Sequence, residues 1–252
     1  MHRCRPCITP LTTPAIPLDF PATDTGTVAI FQRLLLVAVL AGLCTGLLTT
    51  LAHQKLTVPL ILRAEVYEAP AAHDHHGQDH EPAWQPAEGL ERSLFTAFSE
   101  VMTAIGFALV LSAIWIWRGA PRALPQALVW GLAGYASFVL APGLGLTADL
   151  PGVDAGPLGA RQLWWLGSAF ATAAGLALLV FARGWLWRLA AVALLVCPHL
   201  IGAPQTLAET SALPDGLHRE FIQAVRAVGL LFWLTLAAST AFFFSREERR
   251  AG

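Results

Sequence analysis

Charge is scarce in this chain of 252 residues: Asp, Glu, Lys and Arg together make up 13%, about half the share of an ordinary soluble domain. Lysine occurs once, as Lys55, and tyrosine twice. The formal net charge of −1 lacks the basic excess that a polyanion requires, so no nucleic acid partner is expected. The four cysteines do not make a disulfide scaffold. Cys44 and Cys197 lie inside apolar runs and read as small hydrophobes. Cys4-x-x-Cys7, with His2 beside it, is a lone pair of thiols and a weak metal signal. Methionine occurs only as Met1 and Met102, which argues against a thioether-lined copper(I) path. There is no HExxH, GxSxG or P-loop, and no GxGxxG opening a helix after a strand. A self-powered pump is therefore disfavoured and no catalytic residue is assigned: the chain does not read as an enzyme. Nor is there a secretory signal, since no apolar core precedes a small-residue cleavage site.

What remains is apolar. Hydrophobic residues make up 55% of the chain, gathered into separated runs of about the 20 residues that carry a helix across a hydrocarbon layer roughly 30 Å thick. The predicted spans are about 31–52, 94–117, 124–146, 162–182, 189–203 and 221–244. The fifth is the shortest and ends at Pro198-His199. The expected fold is thus all-α, an integral membrane bundle of six helices, or five if that short segment does not cross. Membrane lipid is the first expected partner. Residues 1–29 are rich in Pro and Thr, lack periodicity and read as a disordered extension; a start of translation close to Phe31 is the alternative. Residues 30–246 form the transmembrane domain, and 247–252 a short tail. Gly42-x-x-x-Gly46 in the first span has the spacing that lets helices approach closely, although chance is a serious rival in so glycine-rich a chain.

Arginine sets the expected orientation. With the N-terminus inside, ten arginines fall in cytoplasmic segments (Arg3, Arg5, Arg33, Arg118, Arg122, Arg183, Arg188, Arg246, Arg249, Arg250). Five basic residues fall outside, spread over longer loops (Lys55, Arg63, Arg92, Arg161, Arg219). Trp115, Trp117, Trp185 and Trp187 are expected in an aromatic belt at the inner interface, with Trp164 and Trp165 at the outer one.

Two groups of polar residues carry possible chemistry. The first loop holds His73, His75, His76 and His80, together with Asp74, Asp79 and Glu81. Half of the eight histidines fall within eight residues. Four imidazoles so close can wrap one divalent transition ion, and carboxylates add charge. Such a site weakens as pH falls through about 6.5, because protonated imidazole no longer ligates. The bland reading is a solvated loop. The second group lies in or at the ends of the spans: His53, Glu65, Glu100, His199, His218 and Arg226. Ionisable groups at that depth are costly and tend to be paired or functional. Glu100 has two expected partners, Arg226 as a plain ion pair or His53 and His199 around an ion. The inner half of the bundle shows no obvious polar ladder, so an ion there needs water, exposed carbonyls at breaks near Pro142, Pro198 and Pro204, or a partner subunit.

Several stretches resemble the cobalt transporter subunit CbtA family of bacterial membrane proteins. They are Phe31-Gln32-Arg33-Leu34-Leu35-Leu36, Val58-Pro59-Leu60-Ile61-Leu62 with Ala64-Glu65-Val66-Tyr67-Glu68, Gly89-Leu90-Glu91-Arg92, Gly106-Phe107-Ala108-Leu109, Leu140-Ala141-Pro142-Gly143-Leu144-Gly145-Leu146, Leu150-Pro151-Gly152, Ala160-Arg161-Gln162-Leu163-Trp164-Trp165 and Pro198-His199-Leu200-Ile201-Gly202-Ala203-Pro204. The resemblance implies a multi-pass protein of the bacterial inner membrane that takes up cobalt for cobalamin synthesis. It also implies a small single-span partner, the CbtB subunit. The implied cargo is Co²⁺, with no permanently bound cofactor. The rival is a metal-binding or regulatory subunit that delivers the ion to another permease. The loop chemistry alone does not separate Co²⁺ from Ni²⁺ or Zn²⁺.

Overall fold

The computed structural model describes residues 24–68, 87, 89–150, 157–204, 214 and 216–251. Most of the described residues are helical, with no strand among them. In chain order the helices are α1 (Asp24–Leu56), α2 (Val58–Glu68), α3 (Leu90–Arg118), α4 (Leu124–Tyr135), α5 (Pro142–Gly145), α6 (Leu158–Phe181), α7 (Trp185–Ile201) and α8 (Leu217–Ala251). A π-helical turn, Ala136–Leu140, joins α4 to α5. Among the described residues, five helical stretches are long and apolar enough to cross a membrane: Ile30–Leu56, Leu90–Arg118, Leu124–Gly145, Leu158–Phe181 and Leu217–Arg249. The sixth apolar helix, α7, has 17 residues, at the short end of what spans. The expectation of an all-helical membrane bundle holds.

Where α1 meets α3, the bundle is apolar on the outside and small inside. Leu51 is 65% exposed and Phe98 64%, whereas Ala38, Ala41, Thr45, Ala104, Ala108 and Ser112 are fully buried. A water-soluble helix would reverse that arrangement. In lipid, a large side chain gains nothing by turning inward, and close backbone approach through small residues supplies the packing. Both Cys44 and Cys197 are free thiols on the exposed apolar exterior.

Helix α1 packs chiefly on α3 and α8; α4 packs on α8; α6 and α7 pair beside them. The contact between α1 and α3 explains the Gly42/Gly46 spacing. A Cβ on Gly46 would lie 2.6 Å from the Cα of Val101, and one on Gly42 would collide with the Ile105 side chain. The core continues through stacked aromatics: Phe138 lies parallel to Trp233 with ring centres 5.4 Å apart, and Phe107 meets Trp233 at 4.8 Å. Trp115 departs from the expected belt. It is 1% exposed and packs edge-on against Phe244, while Trp117 and Trp185 stand out at 80% and 68%. Trp115 sits on the face of α3 that also carries Leu111, toward α8, so it joins the core.

The two breaks have local causes. Thr57 ends α1, its amide and hydroxyl both donating to the His53 carbonyl, and its own carbonyl accepts from Leu60 and Ile61 to start α2. Pro59, with no amide hydrogen, can sit in the first turn of α2 but not inside a continued α1. Pro142 has the same effect on the third crossing: the Ala141 amide reaches back to the Ala136 carbonyl, five residues away, giving the π-helical turn. Helix α2 then folds over the bundle end, burying Leu60 and Ala64 against Leu150, Leu217 and Phe221.

Candidate functional site

The expected loop ligands His73, His75, His76 and His80, with Asp74, Asp79 and Glu81, lie outside the described residues. So do Cys4 and Cys7. The second expected group is described, and it divides.

His53 and Glu100 come together. They face each other from α1 and α3, with His53 Nε2 3.3 Å from Glu100 Oε1, and each side chain is about one-quarter exposed (25% and 23%). The close glycine contact below them brings the two helices near enough for this meeting. The other ring nitrogen, Nδ1, is 2.8 Å from Thr57 Oγ1. Thr57 donates its hydroxyl proton to the His53 carbonyl at 3.1 Å. With the hydroxyl proton used there, its oxygen can accept from Nδ1–H, the tautomer that frees the Nε2 lone pair. Nε2 then turns a lone pair toward a carboxylate oxygen. In that tautomer the two acceptors call for a proton or a metal ion between them; in the other, Nε2–H donates directly to the Glu100 carboxylate. Two ligands each about 2.1 Å from one tetrahedral ion stand roughly 3.4 Å apart, so the observed separation suits a shared ion. Thr57 holds the ring in orientation, as outer hydrogen-bond partners of ligating histidines do.

Glu65 is engaged elsewhere. Its Oε1 accepts from both terminal nitrogens of Arg92 at 3.1 Å, tying α2 to the start of α3. His199 is half-buried near the end of α7, its ring edge-on to Trp164 with centres 6.1 Å apart. Trp164 Nε1 donates to the Pro198 carbonyl at 3.3 Å. His218 is half-buried in the first turn of α8. Among the described residues no three His, Cys, Asp or Glu side chains gather as a metal cage. The expected vestibule is therefore one pair, His53 and Glu100, with Glu65, His199 and His218 apart from it. Of the two partners expected for Glu100, His53 is present, and Arg226 instead donates to the Gly143 carbonyl at 3.2 Å.

A row of hydroxyls runs from this pair toward the middle of the bundle. Thr45, Thr49, His53 and Thr57 recur every fourth residue and so share one face of α1. Thr49 donates to the Thr45 carbonyl at 2.8 Å, and Thr45 meets Ser239 of α8 at 3.2 Å. Thr45 lies about 12 Å along the axis from His53 at 1.5 Å per residue. Further along, Ser112 of α3 and Thr240 of α8 bury hydroxyls that have no hydrogen-bond partner among the described residues. The half of the bundle expected to face inward is thus less bare than the ionisable residues imply. The signal for it was the i, i+4 threonine spacing, which is easily passed over because hydroxyls in apolar spans commonly bond only their own helix.

The family described as "Probable cobalt transporter subunit (CbtA)" matches residues 31–245. No curated protein and no solved structure matches the chain.

Proposed function

The chain belongs to the CbtA family of cobalt transporter subunits, and from that premise we propose that it carries Co²⁺ inward across the bacterial inner membrane, supplying cobalamin synthesis. Both termini are cytoplasmic in this reading, and the first loop is periplasmic. His73, His75, His76 and His80, with Asp74 and Asp79, collect the ion. It passes to His53 and Glu100, with His199 and His218 offering single contacts at the same helix ends and Glu65 held in reserve by Arg92. The observation that carries the reading is the pair itself: an imidazole nitrogen and a carboxylate oxygen 3.3 Å apart at a helix–helix contact, on the helix face that also carries Thr45 and Thr49. A two-ligand station holds an ion without trapping it, which suits passage better than a closed cage. The membrane potential drives a divalent cation inward by about 4.6 kcal/mol per 100 mV. The word "subunit" in the family description supports an assembly with partners, and we propose a small single-span CbtB-type chain as one of them.

The experiment is uptake of radiolabelled cobalt by cells expressing the chain, with Glu100→Gln compared against wild type at equal membrane abundance. Uptake at limiting cobalt is expected to fall by about tenfold, the effect of roughly 1.4 kcal/mol at one ligand. Unchanged uptake refutes the station. The same word "subunit" favours a second reading, in which the chain holds metal and hands it to a separate permease. The loop histidines then matter for binding, but the purified chain does not move ions.

A further inference from the structure

A cavity of about 870 Å³ opens between the π-helical turn, α6 and the first part of α8. It lies away from His53 and Glu100, which belong to α1 and α3. Its walls are apolar, with Leu158, Trp165, Ile222 and Val225 among them, but two guanidinium groups face it, Arg161 and Arg226. Their electrostatic situations differ. Arg161 is ion-paired with Asp149, so it adds no net charge. Arg226 sits on α8 about 14 Å along the axis from Leu217, within the crossing segment Leu217–Arg249. Its partner among the described residues is the Gly143 carbonyl, one of the terminal carbonyls that the short α5 leaves unsatisfied. A backbone carbonyl orients the guanidinium without neutralising it. Among the described residues, the cavity therefore has one uncompensated positive charge beside walls suited to hydrocarbon, at the end of the bundle where α6 and α8 begin.

These features match one kind of occupant. A single net positive charge calls for a single negative one. Guanidinium presents a fork of donors that fits phosphate oxygens two at a time. The apolar walls call for an attached chain, and a long arginine stem reaching along apolar surface delivers its head to the level of lipid headgroups. Basic pockets between membrane helices hold phospholipid headgroups for the same reasons. The size falls within the range of pockets that enclose a ligand rather than a lone ion. A metal cation is excluded here by the sign of the charge.

We propose that this cavity is a structural phospholipid site, in which Arg226 holds the phosphodiester and the apolar walls of α6 and α8 hold the adjoining acyl chain. The inference does not depend on the transport reading. Purified full-length chain, stripped of lipid by detergent exchange, is titrated with phosphatidylglycerol and examined by native mass spectrometry. Three comparisons accompany it: diacylglycerol with the same acyl chains, glycerol phosphate, and the Arg226→Gln variant. One phosphatidylglycerol per chain is expected to be retained about tenfold more tightly by wild type than by Arg226→Gln, the scale of one charged hydrogen-bonded contact. Diacylglycerol is expected to be retained as poorly as phosphatidylglycerol is by the variant. Ile222→Trp, which fills the wall and leaves both arginines in place, is expected to lower retention too. Equal retention by wild type and Arg226→Gln overturns the proposal. So does diacylglycerol held as well as phosphatidylglycerol, displacement of the lipid by glycerol phosphate, or exclusion of lipid by a second polypeptide. If Arg226→Gln fails to fold, the wild-type comparison of phosphatidylglycerol with diacylglycerol decides alone.

Discussion

Gly46→Ala tests the link between packing and function. A methyl group at this position would lie 2.6 Å from the Val101 Cα and 2.7 Å from its nitrogen, both backbone atoms that no rotamer change can move. Ordinary contact begins near 3.4 Å, so α1 and α3 must part locally by about 0.8 Å. Overpacking of this kind costs about 1–3 kcal/mol, offset by the roughly 1 kcal/mol that alanine gains over glycine in a helix. The net destabilisation is then of order 0–2 kcal/mol. The same displacement acts on His53 and Glu100, which sit on these two helices. Their separation of 3.3 Å would open to about 4.1 Å, wider than the roughly 3.4 Å between two ligands on one tetrahedral ion. Gly106→Ala is the control, because a Cβ there meets nothing within 4 Å and the helix should gain up to about 1 kcal/mol. Reversible unfolding in mixed micelles reads the stability, and cobalt titration of the uptake rate reads the site. Gly46→Ala should lose stability and raise the half-saturating cobalt concentration, whereas Gly106→Ala should do neither. If the two variants behave alike in both assays, the close approach of α1 and α3 does not set the geometry of the pair.

Replacing His73, His75, His76 and His80 together by alanine should raise half-saturating cobalt several-fold and leave the maximal rate near wild type, as a capture loop concentrates the ion without carrying it; uptake across a cobalt series checks this, and a full loss at saturating cobalt would contradict it. Uptake at limiting cobalt should fall as external pH drops through about 6.5, since protons compete for imidazole, and the four-alanine variant should flatten that profile. Thr45→Val removes the hydroxyl that meets Ser239 while keeping nearly the same shape; it should slow transport without changing cobalt binding measured by equilibrium dialysis, and equal losses in both would place Thr45 at the binding site instead.

The helices were legible in the sequence because a lipid solvent imposes a simple rule: about 20 apolar residues, few charges, breaks at Gly and Pro. The glycine pair was legible as a motif, and its partner residues Val101 and Ile105 were not, since nothing in a single chain reports which helix lies opposite. The same limit governs the site. His53 and Glu100 both stood out as ionisable groups at membrane depth. Their pairing, and the departure of Arg226 to the Gly143 carbonyl, depend on rotation about the helix axes, which hydropathy fixes poorly when helices are apolar all round. Glu65 looked like a ligand because its charge was visible and Arg92, 27 residues further on, was not recognisable as its partner. Trp115 misled for a related reason: an aromatic near a helix end reads as a belt residue, and only the position of α8 turns it inward.

The claim that this chain itself conducts the ion is tested most directly by reconstituting it alone in liposomes that enclose a cobalt-sensitive dye, with a potential negative inside. Saturable cobalt entry that Glu100→Gln slows by about tenfold is the predicted result. Entry no faster than in protein-free liposomes, from protein that still binds cobalt, would contradict it and leave the chain as a carrier of metal to another permease.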